Sequence, residues 1–264
     1  MVLNSGQYEL ESDFKYVWSE NNKYGKEMIF ALLHETGNNA AEIACHFGPS
    51  DHPEVPGRWQ YYGVSLPFWR SYDKEDPRRE FFYYDYTGDA KRDDQSDYGF
   101  HYMVPEEGVT VVPNDTTKYM QNVATMKYTY DMISDAYYDG RTICIFRLSD
   151  VILCKAEIEN NLNGPAAALP YLNQIRARAG APEYGKHNRF PAPSTKEAMN
   201  DAILKERGYE LVFEFQRRAD LIRFGKYEEV INAHLKKLGI AQPTNVTSSL
   251  RYFPYPLNDA NSDF

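Results

Sequence analysis

Many motifs that identify enzymes and cofactor-binding proteins are missing from the 264-residue sequence. It contains no G-x-S-x-G elbow, no Walker-type glycine loop and no G-x-G-x-x-G segment. His34-Glu35 matches the start of a zinc-protease motif, but the second histidine that the motif requires does not follow. We therefore predict that the protein is not an enzyme and that it binds no cofactor.

Cysteine and long apolar runs are also scarce. The three cysteines, Cys45, Cys144 and Cys154, lie far apart and form no C-x-x-C pair, which argues against a zinc knuckle or a redox pair. No apolar run approaches the roughly 20 residues that span a bilayer. Residues 1–6 have neither the basic nor the apolar region of a signal peptide.

Two kinds of polar site, a metal site and a pair of catalytic carboxylates, are considered. His46, Asp51 and His52 could approach a metal ion together, but nothing in their spacing determines a ligand geometry, so we predict no metal site. A glycoside hydrolase needs two carboxylates about 5 Å or about 6.5–9.5 Å apart across a cleft. The candidate acidic residues in loops are Asp93, Asp94, Asp97, Glu106 and Glu107.

Positive charge is in deficit. The chain has 29 Lys and Arg against 38 Asp and Glu, which gives a formal net charge of -9. Nucleic acids and anionic membrane surfaces bind proteins through clustered Lys and Arg side chains, so we exclude them as the main partners. A neutral ligand or a protein partner fits this charge better.

Aromatic residues, by contrast, are abundant: they make up 15% of the chain and include 22 tyrosines. Trp59, Tyr61 and Tyr62 lie in a region rich in turn residues, and we predict that they form a platform for sugar rings. Packing in the core is the alternative for these three. Arg58 and Gln60 are predicted to bind sugar hydroxyls, and Asn38 and Asn39 are further candidates.

Other aromatic residues in the same region are predicted to be structural. We expect Trp69 and Tyr72 to lie in the core and the run Phe81–Tyr86 to form a buried strand. Loops dominate between residues 36 and 142, and the many aromatic residues there argue against disorder.

The second half of the chain shows helical periodicity. A first helix carries Leu148, Ile152 and Ala156 on one face, and a second helix begins at Pro165 and ends at Gly180. A third helix is predicted to begin at a capping box on Ser194 and Glu197. Its apolar stripe, which continues to a stop at Gly225, comprises Met199, Ile203, Leu211, Phe215 and Ile222.

Charged residues concentrate on these helices, at Arg178, Glu206, Arg207 and Glu210. They predict salt-bridged packing between helices, and a surface for a protein partner is the alternative.

Four segments carry a family resemblance: Phe146–Glu157, Tyr171–Gly180, Glu206–Glu214 and Arg217–Gly225. Their order resembles the C-terminal part of the SusD/RagB family. The resemblance implies a mostly α fold of tetratricopeptide-like helix pairs, with a long irregular loop-rich region and few short strands. It divides the chain into a boundary segment (1–35), a loop-rich aromatic ligand-binding region (36–142) and a helical C-terminal region (143–264).

The same resemblance implies a function in polysaccharide utilisation. SusD-like proteins are surface lipoproteins of the Bacteroidetes outer membrane that capture oligosaccharides or other nutrients for a SusC-like TonB-dependent transporter. We therefore expect an oligosaccharide ligand, that transporter as partner, and membrane attachment only through a lipid anchor absent from this chain. An N-terminal helical-repeat region is also expected to be missing. A helical-repeat interaction scaffold and a glycoside hydrolase are the alternatives.

Overall fold

The computed structural model describes residues 2–37, 43–49, 51–55, 59–88, 99–108, 116–131, 139–237 and 246–251. Of these residues, 43% are helical and 14% lie in strands, which confirms the prediction of a mostly α fold. The chain forms two compact units, Met1–Glu210 and Leu211–Phe264. The division at residues 35 and 142 stays a prediction.

The described residues contain seven α-helices. They are α1 (Ile43–Phe47), α2 (Leu66–Arg70), α3 (Leu148–Asn163), α4 (Pro165–Arg178), α5 (Lys196–Glu210), α6 (Arg217–Arg223) and α7 (Tyr227–Lys237). None of the helices in these ranges is both long and apolar enough to cross a membrane.

Eight short strands form three small sheets in the described part of the chain. They are β1 (Met28–Leu32), β2 (Val64–Ser65), β3 (Phe82–Tyr83), β4 (Asp85–Thr87), β5 (His101–Met103), β6 (Thr117–Tyr119), β7 (Asn122–Thr125) and β8 (Ile143–Arg147). The sheet orders are β1-β8, β2-β7-β3 and β4-β5-β6. The strands β1 and β8 are antiparallel, and β8 runs directly into α3.

The helices α3, α4 and α5 pack on one another in the first unit. Leu148, Ile152 and Ala156 of α3 are buried as the periodicity predicted, and so are Leu172 and Ile175 of α4. Burying each such leucine or isoleucine contributes about 1.5–3 kcal/mol relative to leaving it exposed. The helix pair of the second half is therefore confirmed, and α5 extends it to three helices.

The ends of α4 agree with the sequence prediction. Pro165 occupies the first turn, where its missing amide hydrogen costs nothing. After the helix, Gly180 has φ +74°, and the next amide, of Ala181, donates to the carbonyl of Arg176 at 2.9 Å. Glycine adopts this left-handed conformation without steric cost, so the predicted C-terminal signal is confirmed.

The start of α5 differs from the prediction by one residue. The helix begins at Lys196, and the Thr195 hydroxyl accepts a hydrogen bond from the Ala198 amide at 3.1 Å. Thr195 therefore caps the helix, and the prediction of Ser194 as the cap is wrong. Two adjacent hydroxyl residues offer the same local chemistry, and the sequence pattern did not separate them.

The predicted third helix is also shorter than expected, because α5 ends at Glu210 and α6 begins only at Arg217. Phe213 and Phe215, between the two helices, have φ of +61° and +65°, which no α-helix permits. The carbonyl of Glu210 accepts hydrogen bonds from Lys127 Nζ and Arg147 Nη2, both at 2.8 Å. These cations satisfy a carbonyl at the helix end, where an interrupted helix leaves such groups without amide partners.

The aromatic residues assigned to the core lie there. Trp69 and Tyr72 are 4% and 3% exposed. Phe81, Phe82 and Tyr83 are also buried, and β3 pairs with β7. The run predicted as one strand is divided, since β3 ends at Tyr83 and β4 begins at Asp85.

The charged residues of the helices form a buried ion-pair cluster. Glu210 contacts Arg147 at 2.7 Å, Arg78 at 3.0 Å, and Arg178. Glu206 contacts Arg78 and Arg176, both at 2.7 Å. Arg207 pairs with Asp150 of α3 at 2.7 Å, so the interpretation as salt-bridged packing is confirmed for Arg178, Glu206, Arg207 and Glu210.

Candidate functional site

The candidate site is built on the short helix α1. The loop that carries Trp59 and Tyr62 runs beside this helix. The Trp59 amide donates to the Cys45 carbonyl at 2.6 Å, and the Tyr62 amide donates to the His46 carbonyl at 3.1 Å. Two backbone hydrogen bonds therefore connect the loop to the helix.

The three predicted platform residues meet around one imidazole ring. The centroid of the His46 ring lies 5.0 Å from that of Trp59, 5.5 Å from that of Tyr61 and 6.1 Å from that of Tyr62. The rings of Trp59 and Tyr61 are 5.5 Å apart and inclined by 33°. Such distances are those of favourable aromatic pairs, so the rings support one another.

Much of each ring remains accessible to solvent. Trp59 is 38% exposed, Tyr61 66% and Tyr62 54%. None of the three residues is buried in the core, although the ring of Tyr62 packs on the buried Phe47.

Beneath the rings, α1 is anchored in the core. Phe47 is buried, and its ring lies 5.4 Å from the Tyr62 ring and 4.6 Å from the Tyr128 ring. Cys45 is fully buried beside it. A rigid base of this kind reduces the entropy that a ligand-binding surface loses on binding.

Gln60 holds the turn between the rings. Its φ is +50°, in the left-handed region that costs residues with a Cβ about 1–2 kcal/mol. Strained backbone of this kind concentrates at functional sites. Arg58, Asn38 and Asn39, the other predicted polar contacts, lie outside the described residues.

Sequence reasoning missed the role of His46, which it considered only as a metal ligand. The other two residues of that hypothesis lie in a different environment. His52 packs on the rings of Tyr83 and Tyr86, at 4.8 Å and 4.9 Å, and Asp51 accepts a hydrogen bond from the Tyr86 hydroxyl at 3.0 Å. Burial lowers the pKa of His52. A helix of five residues has too little periodicity to indicate which of its side chains supports a neighbouring loop.

Across the described ranges, no group of three or more His, Cys, Asp or Glu side chains is arranged to hold a metal ion. Glu106 and Glu107, two of the acidic loop residues considered for hydrolysis, are exposed. Asp93, Asp94 and Asp97 lie outside the described residues.

The sequence itself matches the model of the SusD family over residues 26–261. The chain therefore belongs to the SusD family, as the resemblance of its helical segments predicted.

Individual relatives match shorter stretches. The chain is 42% identical over 87 residues to SusD-like protein P25 of Formosa agariphila, covering 33% of this chain and 16% of that protein. It is 28% identical over 133 residues to the starch-binding protein SusD of Bacteroides thetaiotaomicron, covering 50% of this chain and 22% of that protein.

Among solved structures, the chain resembles surface glycan-binding protein A from Bacteroides thetaiotaomicron in complex with laminarihexaose. The TM-score is 0.68 at 21% sequence identity, and the match covers 98% of this chain and 55% of the other. At this identity the likeness shows a shared fold. The chain thus spans about half the length of that protein and smaller shares of the two sequence relatives.

Proposed function

We propose that this chain binds an oligosaccharide on Trp59, Tyr61 and Tyr62 and holds it without chemical conversion. The observation that carries the proposal is the group of three half-exposed rings around His46, held on α1 by backbone hydrogen bonds. Residues 36–142 would then form the ligand-binding region. The laminarihexaose complex of a protein with this fold and the starch-binding relative support a glycan as ligand.

The physical basis is stacking on a preformed surface. Pyranose rings have apolar C–H faces, and aromatic rings held in place bind them with little loss of side-chain entropy. Hydroxyl groups at the edge of the sugar need planar polar partners, and Gln60, between Trp59 and Tyr61 in the sequence, would be one. Each ring that a ligand covers should contribute about 1 kcal/mol or more to binding.

Titration of the full-length protein tests the site. Calorimetry with laminarihexaose, maltohexaose and other soluble oligosaccharides should find at least one that binds. For that ligand, Trp59→Ala and Tyr62→Ala should each weaken binding about fivefold or more. Tyr24→Ala is the matched control, because Tyr24 is 82% exposed and its ring has no contact with the cluster in the described structure. Unchanged affinity in both folded cluster variants would contradict the proposed site.

Tryptophan fluorescence provides a second test of the contact between the ligand and Trp59. Trp59 is 38% exposed, whereas Trp18 and Trp69 are each 4% exposed. Iodide should therefore quench Trp59 selectively, and a bound oligosaccharide should protect it. Quenching that is the same with and without saturating ligand would mean that the ligand binds elsewhere.

We also propose that the whole protein acts at the outer surface of the outer membrane, as a lipoprotein that passes its ligand to a SusC-like TonB-dependent transporter. Family membership supports this proposal. The test is fractionation of source cells with an antibody to this chain, followed by purification of its complexes. We expect surface labelling of intact cells and a β-barrel transporter in the complex. A cytoplasmic protein would contradict the proposal.

The alternative function, a protein-interaction scaffold, would need Arg178 and Glu210 to be accessible at the surface, and they are not. The side chains of these residues are 5% and 0% exposed, and they contact each other. Substitutions at these positions would therefore test the stability of the fold rather than the binding of a partner.

A further inference from the structure

One pocket of the protein shares no lining residue with the aromatic site. Its volume is about 260 Å³, just below the range of roughly 300–1,000 Å³ for small-molecule pockets. It is lined by Ser71, Tyr72, Asp73, Lys74, Asp76, Arg176, Arg189, Phe190, Lys205 and Tyr209. A pocket of this size suits a single small ring.

The floor of the pocket is rigid. The rings of Tyr72 and Tyr209 are stacked at 4.2 Å, and the Tyr72 hydroxyl donates to the Tyr209 carbonyl at 3.1 Å. The Tyr209 hydroxyl in turn donates to the Ser71 carbonyl. Burial raises the pKa of both tyrosines, so the floor stays neutral at physiological pH.

Most charges around the pocket are already compensated. Arg189 pairs with Asp73 at 2.9 Å and with Glu75 at 2.7 Å. The deeper Arg176 is buried between the rings of Tyr184 and Phe190 and pairs with Glu206 at 2.7 Å. These ion pairs connect the walls of the pocket. Because the two arginines are neutralised by carboxylates, they attract an anionic ligand only weakly.

Two lysines at the pocket differ from Arg189 and Arg176 in their charge compensation. Lys74 and Lys205 are exposed and line the pocket, yet neither pairs with an acidic side chain in the described part of the protein. The amine of Lys205 lies 5.7 Å from the centroid of the Tyr209 ring. In a chain of net charge -9, two uncompensated cations beside a neutral aromatic floor make a local site for an anion.

We propose that this pocket binds the oxyanion-bearing ring of an acidic sugar. Lys74 and Lys205 would contact the charged oxygens, which belong either to the carboxylate of a uronate or to a sulfate ester. Phe190 and the Ser71 hydroxyl would contact the ring and its hydroxyls. The pocket shares no residue with the aromatic site, so the proposal holds or fails independently of the function proposed above.

The experiment is a calorimetric titration of the full-length protein at constant ionic strength. The probes are sodium glucuronate, sodium glucose 6-sulfate, glucose and sodium sulfate. We expect saturable binding of one or both acidic sugars, at least tenfold tighter than that of glucose or inorganic sulfate. The first two probes distinguish a carboxylate from a sulfate ester.

Variants of Lys74 and Lys205 test whether the acidic sugars bind in this pocket. Lys74→Gln with Lys205→Gln should weaken the binding of acidic sugars about tenfold, because the double variant removes both lysine charges at the pocket. Lys26→Gln with Lys236→Gln changes the net charge equally, but neither residue lines the pocket, so binding should persist. Replacement of both Lys74 and Lys205 by arginine should retain the binding of acidic sugars, because arginine keeps the positive charge.

Three results would overturn the proposal. They are the absence of saturable binding of either acidic sugar, equal affinity for inorganic sulfate, and unchanged binding in the double glutamine variant. Loss of acidic-sugar binding in the arginine variant would be a fourth such result, because that variant keeps both positive charges.

Discussion

At the scale of single residues, the most consequential group is the Glu210 carboxylate. Its side chain is fully buried and contacts Arg147 and Arg178. Burial raises the pKa of this carboxyl, but the charges of Arg178, Arg147 and Arg78 outweigh it and hold the pKa well below its ordinary value. Glu210 is therefore ionised in the folded protein at any pH near neutrality.

Glu210→Gln should destabilise the protein by about 3–5 kcal/mol at pH 7, because Arg78, Arg147 and Arg178 lose one of the buried carboxylates that neutralise them. A carboxyl with a lowered pKa in the folded state contributes stability above its unfolded pKa of about 4.3, and this contribution disappears as the pH falls. Urea unfolding from pH 7 to pH 3 should thus show the wild type approaching the variant in acid. Glu9→Gln, at an exposed carboxylate, is the control. A difference that stays constant over this range would contradict the assignment.

At the scale of elements, local signals predicted the helix ends where glycine or proline determines the backbone. Gly180, Pro165 and Gly225 lie where their conformational preferences require, and Gly225 follows α6 with φ +68°. The interruption after Glu210 has no such signal, since no proline or glycine occurs between Leu211 and Gln216. It depends on cations from β8 and from the chain after β7, which are distant in sequence.

The cap of α5 provides a test between two neighbouring hydroxyls. Thr195→Ala should cost about 1 kcal/mol of stability, because the Ala198 amide would lose its acceptor. Ser194→Ala should have little effect. Chemical denaturation of both variants measures the difference, and a larger loss at Ser194 would mean that the helix begins one residue earlier.

At the scale of the whole molecule, the aromatic site is assembled from separate segments. The ring of His46 belongs to α1, whereas Trp59, Tyr61 and Tyr62 follow later in the chain. Both the loop and the helix depend on buried residues such as Phe47 and Tyr128 for their position. A ligand that bridges the rings should consequently stabilise the folded state as a whole.

An oligosaccharide that binds the full-length protein should raise its thermal unfolding midpoint. A ligand at 100 times its dissociation constant adds about 2.7 kcal/mol to the free energy of unfolding. Differential scanning fluorimetry should detect a rise of several degrees in the wild type and a smaller one in Trp59→Ala at the same concentration. Equal shifts in the two proteins would show that the stabilising contact lies elsewhere.

The sequence by itself determined the family and the helices of the second half, apart from the interruption after Glu210. Periodicity and end signals are local properties of the chain, and the family segments are read directly from it. Only the tertiary structure decided which ring lies against Trp59, Tyr61 and Tyr62, which charges are buried, and where α5 ends. His46, Lys127 and Arg147 take these roles because folding brings them against residues distant in sequence. Such contacts leave no periodic pattern, so no reading of neighbouring residues reveals them.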